Sequence, residues 1–153
     1  MWTNKRLIVG CGKNSIKEDK NTDVFLDVRN FENVDVVHDL NILPWPFKEN
    51  EFIHVSASHV VEHLDSLLDF MNESHRIIAP GGSLFLTTPL AGVNPDLEFA
   101  DPTHKRCYRI HTFMNYFTPE GVDRFGYTDK AWNIPVLRVE NDCIIFHGYP
   151  MKK

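Results

Sequence analysis

The sequence predicts an α/β fold: a mostly parallel sheet with few helices that ends in an antiparallel hairpin. Two observations support this prediction. Short runs of β-branched and apolar residues are separated by stretches long enough for the crossovers that parallel strands need. Near the carboxyl end, VLRVENDCIIFHG reads as two strands joined at Asn141-Asp142, residue types that favour a tight turn. A length of 153 residues suits one domain, so we expect residues 1–153 to form a single unit.

The first strand and the turn after it open the fold. RLIV (Arg6–Val9) is a short apolar run that stops at Gly10-Cys11-Gly12, and the stretch that follows is polar except for Ile16. Glycines on both sides of Cys11 let the backbone turn sharply and approach a ligand with no Cβ in the way.

Two further runs predict the second and third strands. DVFLDV (residues 23–28) and VDVVHDL (residues 34–40) are rich in β-branched residues. Each has an aspartate at or near its carboxyl end, Asp27 in the first and Asp39 in the second. The segment NILPWPFKEN then predicts a loop.

From residue 51 onward the sequence predicts two further strands before the hairpin, three helices and a long loop. EFIHVSAS alternates into a fourth strand, LDSLLDFMNESHRII has helical spacing and ends at PGG, and SLFLTTP predicts the fifth strand. Residues 90–109, rich in Pro, Asp and Gly, predict a loop that walls a pocket. One helix starts near His111, and another starts at TPE, where Thr118 suits the cap and Pro119 the first helical position.

Composition excludes several classes of function. No run approaches the roughly 20 apolar residues that cross a bilayer, and the apolar run near the N-terminus is too short for a signal peptide, so we expect a cytoplasmic protein with no membrane partner. Three cysteines without C-x-x-C spacing predict reduced thiols. A net charge of -5 argues against a nucleic-acid partner and favours a small or neutral one. Homo-oligomerisation stays open.

The carboxyl ends of the predicted strands carry the candidate ligand-binding residues. In open α/β sheets a ligand binds outside these ends, where the strand order reverses. Asp27 can accept hydrogen bonds from both hydroxyls of a ribose, which with the turn glycines predicts a nucleoside ligand; two turn glycines and a solvated aspartate are the alternative reading. GCGKNSIKEDKN lacks the third glycine and the apolar helical face of a dinucleotide site. This favours S-adenosylmethionine, which has no phosphate and carries a sulfonium cation.

Together these segments resemble the class I S-adenosylmethionine-dependent methyltransferases, in particular the type 11 group. The similar segments are LIVGCGKN, FLDV, HDLNILPWPF, FIHVSASHVVEHL and IIAPGGSLFLTTP, which extend over most of the chain. The resemblance implies a Rossmann-like fold in a minimal version, S-adenosylmethionine as cofactor, and an enzyme that methylates a small-molecule or glycan acceptor. Ile8 stands where the family often has an acidic residue.

The predicted cofactor-binding residues are Gly10, Cys11, Gly12, Asp27, Val28, Asp39, Leu40, Ser56 and His59. By the resemblance, Gly10 and Gly12 would line the methionine and the ribose. Asp27 would hold the ribose diol. Asp39 would face the adenine amino group, with Leu40 supplying a backbone contact.

The pattern HVVEH (residues 59–63) also matches the H-x-x-E-H signature of a zinc peptidase family. On a helix the two histidines would share one face, with Glu62 as general base and Glu140 as a third ligand. In the resembling methyltransferases this stretch is a turn, so His59 should leave the strand end where the turn begins. No metal is predicted, although a divalent ion near this turn stays open. A non-catalytic cofactor-binding domain and a zinc hydrolase are the alternative functions.

Methyl transfer depends mainly on holding the nucleophile close and aligned, and a hydroxyl acceptor would gain from a general base. His104, in DPTHKRCYRIHTF (residues 101–113), is the candidate base, because this segment resembles a loop of glycan-associated members. A loop histidine bonded to nearby backbone is the alternative. Lys105, Arg106 and Arg109 form a basic cluster that either meets an anionic acceptor or is solvated.

Overall fold

The computed structural model describes residues 4–152, which form one seven-stranded sheet and a small set of helices. The strands are β1 (Arg6–Val9), β2 (Asp23–Asp27), β3 (Val36–Val37), β4 (Phe52–Ser58), β5 (Ile78–Pro89), β6 (Trp132–Glu140) and β7 (Cys143–Pro150). The helices are α1 (Leu67–Ile77), α2 (Pro95–Phe99), α3 (Ile110–Phe117) and α4 (Pro119–Phe125), with a 3₁₀ turn at Val61–His63. The expected α/β architecture with reduced helices is confirmed.

The strand order is β3-β2-β1-β4-β5-β7-β6. Strands β1 to β5 pair in parallel, and the chain builds outward from β1 to β3 before returning to the other side of β1 with β4. The order therefore reverses between β1 and β4. In such sheets this switch point is where a crevice opens at the carboxyl ends.

The antiparallel hairpin lies at the far edge, as the sequence predicts. β7 pairs antiparallel with β5 on one side and with β6 on the other. Asn141 and Asp142 join the two hairpin strands with φ of 49° and 62°. Two successive left-handed residues suit the right-handed twist of the strands, which is why Asn and Asp occur at this turn.

The PGG segment does not end a helix, contrary to the sequence prediction. Helix α1 ends at Ile77, and PGG lies inside β5, where the pairing with β4 shifts register between Phe52 and His54. A Cβ on Gly82 would lie 2.6 Å from the carbonyl oxygen of Ile53, so the close approach of the two strands at this bulge requires glycine.

The helix starts agree well with the sequence predictions, but the long loop is more ordered than expected. α3 begins at Ile110, and α4 begins at Pro119 with Thr118 Oγ1 accepting a hydrogen bond from the Gly121 amide at 3.3 Å. Within residues 90–109 the structure has the short helix α2, whose first amides are capped by the Asn94 side chain. The predicted loop is therefore partly helical.

One face of the sheet carries the main core. Alternate side chains of the strands are buried against α1 and α3, including Val55, Leu84 and Phe146, which are inaccessible to solvent. No helix connects β1 to β2, so the stretch 10–22 follows a series of turns. Among residues 4–152, none of the helices has both the length and the apolar character needed to cross a bilayer.

Candidate functional site

A cavity of about 630 Å³ opens at the switch point between β1 and β4; we call it the strand-end cavity. Its wall is built from the segments at the carboxyl ends of β1, β2, β3 and β4, together with part of the loop after α2. The predicted cofactor residues that line it are Gly10, Gly12, Asp27, Val28, Asp39, Leu40 and His59. The topology thus brings together residues that are far apart in the sequence.

The turn after β1 gives the cavity a wall made of backbone. Gly10 and Gly12 have φ of 61° and 68°, in the left-handed region that favours glycine. A Cβ on Gly10 would lie 2.5 Å from Cγ2 of Val60, whereas one on Gly12 would meet no atom within 4 Å. Gly10 is therefore required by both conformation and packing, and Gly12 by conformation alone.

Asp27 is buried at the end of β2 and is held in place by two backbone amides. Its Oδ2 accepts a hydrogen bond from the Gly12 amide at 2.9 Å, and its Oδ1 accepts one from the Arg29 amide at 2.9 Å. Each carboxylate oxygen keeps a second lone pair. The carboxylate is therefore fixed in orientation at the cavity wall and can still accept hydrogen bonds from a ligand.

Asp39 also lines the cavity and lies in a tight local turn. Its Oδ1 accepts a hydrogen bond from the Asn41 amide at 2.9 Å, and its carbonyl oxygen accepts one from the Ile42 amide at 2.9 Å. The neighbouring Leu40 is buried, and its carbonyl oxygen accepts a hydrogen bond from the Trp45 indole at 3.0 Å. This turn positions a carboxylate and an apolar side chain side by side.

Helix α1 fixes the segment that carries this turn. Glu73 Oε2 accepts a hydrogen bond from the Trp45 amide at 2.8 Å, and Arg76 donates to both Glu73 oxygens at 2.7 and 2.6 Å. Arg76 also donates to the carbonyl oxygens of Phe47 and Trp45. Burial opposes ionisation of Glu73, but the Arg76 and Trp45 hydrogen bonds outweigh it and lower the pKa of this carboxyl.

Two predicted cofactor residues lie outside the strand-end cavity. Cys11 is buried beneath the turn, and burial raises the pKa of its thiol. Ser56 lines a separate cavity of about 280 Å³, together with Arg6 and His54. Because Val55 and Ala57 face the core, strand alternation turns Ser56 to the opposite face of the sheet.

The HVVEH segment is a turn, and its two histidines do not lie on one α-helix. His59 has φ of 53°, directly after β4, and only Val61–His63 is a 3₁₀ turn. The interpretation that His59 leaves the strand end as the turn begins is therefore confirmed. Glu140, the third ligand of the zinc-peptidase reading, lies in β6 and pairs with Arg138. The geometry does not form the zinc-peptidase arrangement.

Glu62 organises this turn from within the core. Its side chain is 1% exposed; Oε1 lies 3.0 Å from His59 Nδ1, and Oε2 accepts a hydrogen bond from Thr88 Oγ1 at 3.1 Å. The hydrogen bond to Glu62 raises the pKa of His59. The Glu62 carbonyl oxygen also accepts hydrogen bonds from the Lys105 and Arg106 amides, which ties the later loop to the turn.

A second, open cavity of about 580 Å³ adjoins the first; we call it the loop cavity. His59, His63 and Asp101 line both cavities, so the two are contiguous. His104, the predicted base, lines the loop cavity and not the strand-end cavity. Its Nδ1 lies 2.9 Å from the Glu98 carbonyl oxygen, so the backbone contact of the alternative reading is present.

Sequence reasoning missed the partners of His104. The rings of His63 and His104 meet edge to face with centroids 4.7 Å apart, and one ligand atom from each lies within 4.8 Å of a Glu62 oxygen. These three residues are the group that could hold a metal ion within residues 4–152. The spacing of Glu62 and His63 was visible in the sequence, but their contact with His104 depends on the tertiary fold.

The basic cluster of the loop is engaged with protein atoms. Lys105 pairs with Asp65 at 2.7 Å, Arg106 donates to the Asp65 carbonyl oxygen at 2.9 Å, and Arg109 donates to the Ala91 carbonyl oxygen at 2.8 Å. The two contacts with Asp65 hold the loop against the segment that follows the turn, and the third lies within the loop. Together they favour a structural role for the three cations.

Comparisons with known proteins bear on the family and the fold of this chain. Residues 8–126 match a family model described as a methyltransferase domain. No curated protein is significantly similar in sequence.

Solved structures with the same fold include a SAM dependent methyltransferase from Archaeoglobus fulgidus, at a TM-score of 0.68 and 15% identity, over 96% of this chain and 86% of that one. An S-adenosylmethionine dependent methyltransferase from Mesorhizobium loti aligns at a TM-score of 0.64 and 10% identity, over 97% and 91% of the two chains. The N-methyltransferase NodS from Bradyrhizobium japonicum, in complex with S-adenosylhomocysteine, aligns at 0.61 and 12%, over 99% and 80%. At identities this low, the structural similarity shows that these proteins share a fold with this chain, and nothing beyond that.

Proposed function

The chain belongs to the methyltransferase domain family, and from that premise we propose that it transfers a methyl group from S-adenosylmethionine to a small-molecule or glycan acceptor. The observation that carries the proposal is the Asp27 carboxylate, fixed by the Gly12 and Arg29 amides at the wall of a cavity at the switch point. The structural neighbours named above, which include a complex with S-adenosylhomocysteine, support the choice of cofactor.

The residues of the strand-end cavity fit this cofactor. Asp27 has free lone pairs for the two ribose hydroxyls, and Asp39 can accept a hydrogen bond from the adenine amino group beside the apolar Leu40. The Gly10 and Gly12 backbone leaves room for the methionine end. When bound, S-adenosylmethionine supplies an electrophilic methyl group on a sulfonium centre.

The loop cavity is the proposed acceptor site, with His104 as the proposed base. A carbonyl oxygen only accepts hydrogen bonds, so the contact with Glu98 puts the proton of His104 on Nδ1. Nε2 then carries the lone pair that can take a proton from an acceptor hydroxyl. Because His59, His63 and Asp101 line both cavities, an acceptor in the loop cavity would lie next to the methyl donor.

A non-catalytic cofactor-binding domain is the second candidate, because His104 lies outside the strand-end cavity. We further propose that residues 1–153 act as one domain in the cytoplasm. The three cysteines are free thiols, which supports a reducing compartment.

Calorimetry with S-adenosylhomocysteine tests cofactor binding. We expect wild-type protein to bind it and Asp27→Ala to weaken binding by about 1.5–3 kcal/mol, which is roughly 10- to 150-fold, because hydrogen bonds to a charged group are lost. The matched control is Asp123→Ala, an exposed aspartate on α4, which should bind normally. Absence of binding by the wild-type protein would reject the proposal.

Transfer of a labelled methyl group to a panel of hydroxyl-bearing small molecules and glycans tests catalysis. We expect His104→Ala to lower kcat by roughly 100-fold with little change in cofactor affinity. His111→Ala, an exposed histidine of α3, is the control. Normal turnover in His104→Ala would remove the base assignment, and binding of the cofactor without transfer to any acceptor would favour the non-catalytic domain.

A further inference from the structure

Three side chains that could ligate a metal meet where the two cavities adjoin. A ring nitrogen of His63, a ring nitrogen of His104 and a carboxylate oxygen of Glu62 all lie within 4.8 Å of one another. Two imidazoles and one carboxylate are a donor set that binds zinc and other divalent transition metals. We propose that Glu62, His63 and His104 form a binding site for a divalent transition-metal ion.

A chain of hydrogen bonds sets the protonation of His63. Asp101 Oδ1, a carboxylate oxygen that only accepts, lies 2.6 Å from Thr103 Oγ1, so the threonine hydroxyl donates to it. Thr103 Oγ1 has then used its only proton and must accept from His63 Nδ1, 2.8 Å away. His63 therefore carries its proton on Nδ1 and a lone pair on Nε2.

His104 also carries its proton on Nδ1, but a different hydrogen bond fixes it there. Its Nδ1 donates to the Glu98 carbonyl oxygen at 2.9 Å, which leaves the lone pair on Nε2. Histidines that bind metals almost always donate their other ring N–H to a carbonyl or carboxylate group, which fixes the tautomer and the ring direction. Both rings of this cluster have that outer support: a carbonyl oxygen for His104 and the Thr103–Asp101 pair for His63.

Glu62 supplies the negatively charged ligand of the proposed metal site. Its side chain is almost fully buried, with one oxygen next to His59 Nδ1 and the other accepting from Thr88 Oγ1. Each oxygen keeps a lone pair beyond these contacts. A buried carboxylate is stabilised by a nearby cation, and an ion at this cluster would serve that role.

Binding requires a modest contraction of the cluster. Nitrogen and oxygen ligands lie about 2.1 Å from zinc, which places tetrahedral ligands roughly 3.4 Å apart. His63 and His104 are only partly buried, so their side chains can shift by the ångström or so that is needed. Three protein ligands leave a coordination position for water or for a substrate oxygen.

A bound ion would change one part of the proposed function, the role of His104. If methyl transfer occurs as proposed, an acceptor oxygen on the ion would lie next to the methyl donor, because His63 lines both cavities. This consequence rests on the proposed function, whereas the binding of the ion does not. The lone pair on His104 Nε2 cannot serve as base and ligand at once, so with the ion bound His104 is a ligand.

Calorimetry with Zn²⁺ on protein first freed of metal by a chelator tests the site. We expect one ion per chain and a loss of affinity of roughly 100-fold or more in His104→Ala and in His63→Ala. Thr103→Val should lose roughly 10- to 100-fold, because the residue that orients His63 is removed. Mg²⁺ should not bind, since imidazole ligands favour transition metals. Thermal melts are the check that each variant is folded.

Two controls separate this site from other metal ligands. His111→Ala removes an exposed histidine of α3, and Cys143→Ser removes the thiol that lies 3.9 Å from His59 Nε2. Both should bind Zn²⁺ like the wild-type protein. No binding by the wild-type protein, or binding that is lost in Cys143→Ser and kept in His104→Ala, would overturn the proposal.

Titration of the same preparations with S-adenosylhomocysteine distinguishes a failure of the proposed metal site from a failure of the proposed methyltransferase function. Zinc binding without binding of the nucleoside would support the metal site and reject the proposed function. The opposite result would reject the metal site and leave the proposed function standing. A transferase that loses turnover with a chelator and regains it with Zn²⁺ would assign His104 as a ligand during catalysis.

Discussion

Gly10 forms part of the wall of the strand-end cavity and packs closely against Val60. We expect Gly10→Ala to destabilise the fold more than Gly12→Ala does. Both substitutions put a Cβ on a left-handed residue, which costs about 1–2 kcal/mol, but only the Gly10 variant also overlaps Val60, with a contact of 2.5 Å that adds roughly 1–3 kcal/mol. Urea unfolding of the two variants measures the difference. Equal losses of stability would show that Val60 moves away freely.

Tyr108 gives the protein a specific sensitivity to alkaline pH. Burial raises the pKa of this phenol to about 12, against about 10 in an unfolded chain. The contribution of this phenol to the stability of the folded state is complete below pH 10. It is lost as the pH rises from 10 to 12, because the unfolded state gives up the proton first.

Between pH 9 and pH 11, the unfolding free energy of the wild-type protein should fall by about 1.4 kcal/mol more than that of Tyr108→Phe. At neutral pH the variant loses only the 3.3 Å hydrogen bond to the Val61 carbonyl oxygen. Urea unfolding at the two pH values checks the prediction. An identical alkaline loss in both proteins would contradict it.

At the scale of elements, α1 stabilises the segment that carries Asp39. We expect Arg76→Ala to cost about 3 kcal/mol of unfolding free energy, because it leaves the buried Glu73 carboxylate without its main partner. The matched control is Arg138→Ala, which removes an exposed pair with Glu140 and should cost less than about 1 kcal/mol.

The pH dependence of this contribution has a definite sign. The pKa of Glu73 is lowered in the folded state, so its stabilisation is present above the unfolded pKa of about 4.3 and is lost as the pH falls through the folded value. The stability difference between wild type and Arg76→Ala should therefore shrink in acid. A difference that stays constant down to pH 2 would separate the effect from the ionisation of Glu73.

The elements that the sequence predicted well are those with local signals. The start of α4 follows from the Thr118-Pro119 cap, and the hairpin follows from Asn141-Asp142. Helix α2 was missed because five residues are too few to show periodicity. Its Asn94 cap followed by proline was a usable signal.

Two features of the site were not predicted from the sequence, for different reasons. Ser56 could have been assigned to the opposite face, because its neighbours Val55 and Ala57 are apolar and strand side chains alternate. The meeting of His63 with His104 could not have been predicted, since it depends on the Glu62 carbonyl oxygen holding the later loop against the turn.

For the whole molecule, the strand-end cavity is built from the ends of four strands and one loop, so a bound ligand contacts parts of the chain that are distant in sequence. At a concentration of 100 times Kd, S-adenosylhomocysteine should add about 2.7 kcal/mol to the stability and raise Tm by roughly 5–10 °C. Asp27→Ala at the same ligand concentration should show a clearly smaller rise. Differential scanning calorimetry measures both, and equal rises would place Asp27 outside the binding contacts.

The position of β1 inside the sheet has a consequence for the order of events in folding. The β6–β7 hairpin joins neighbouring residues, and such hairpins form in roughly 1–10 μs. β1 must instead wait for β4, whose residues come much later in the chain, and closing long loops is what slows parallel sheets. The strand-end cavity lies between these two strands. The cavity therefore forms only when β1 and β4 have paired, which is the slow step. A chain in which these strands are still unpaired has no site that could bind a nucleoside.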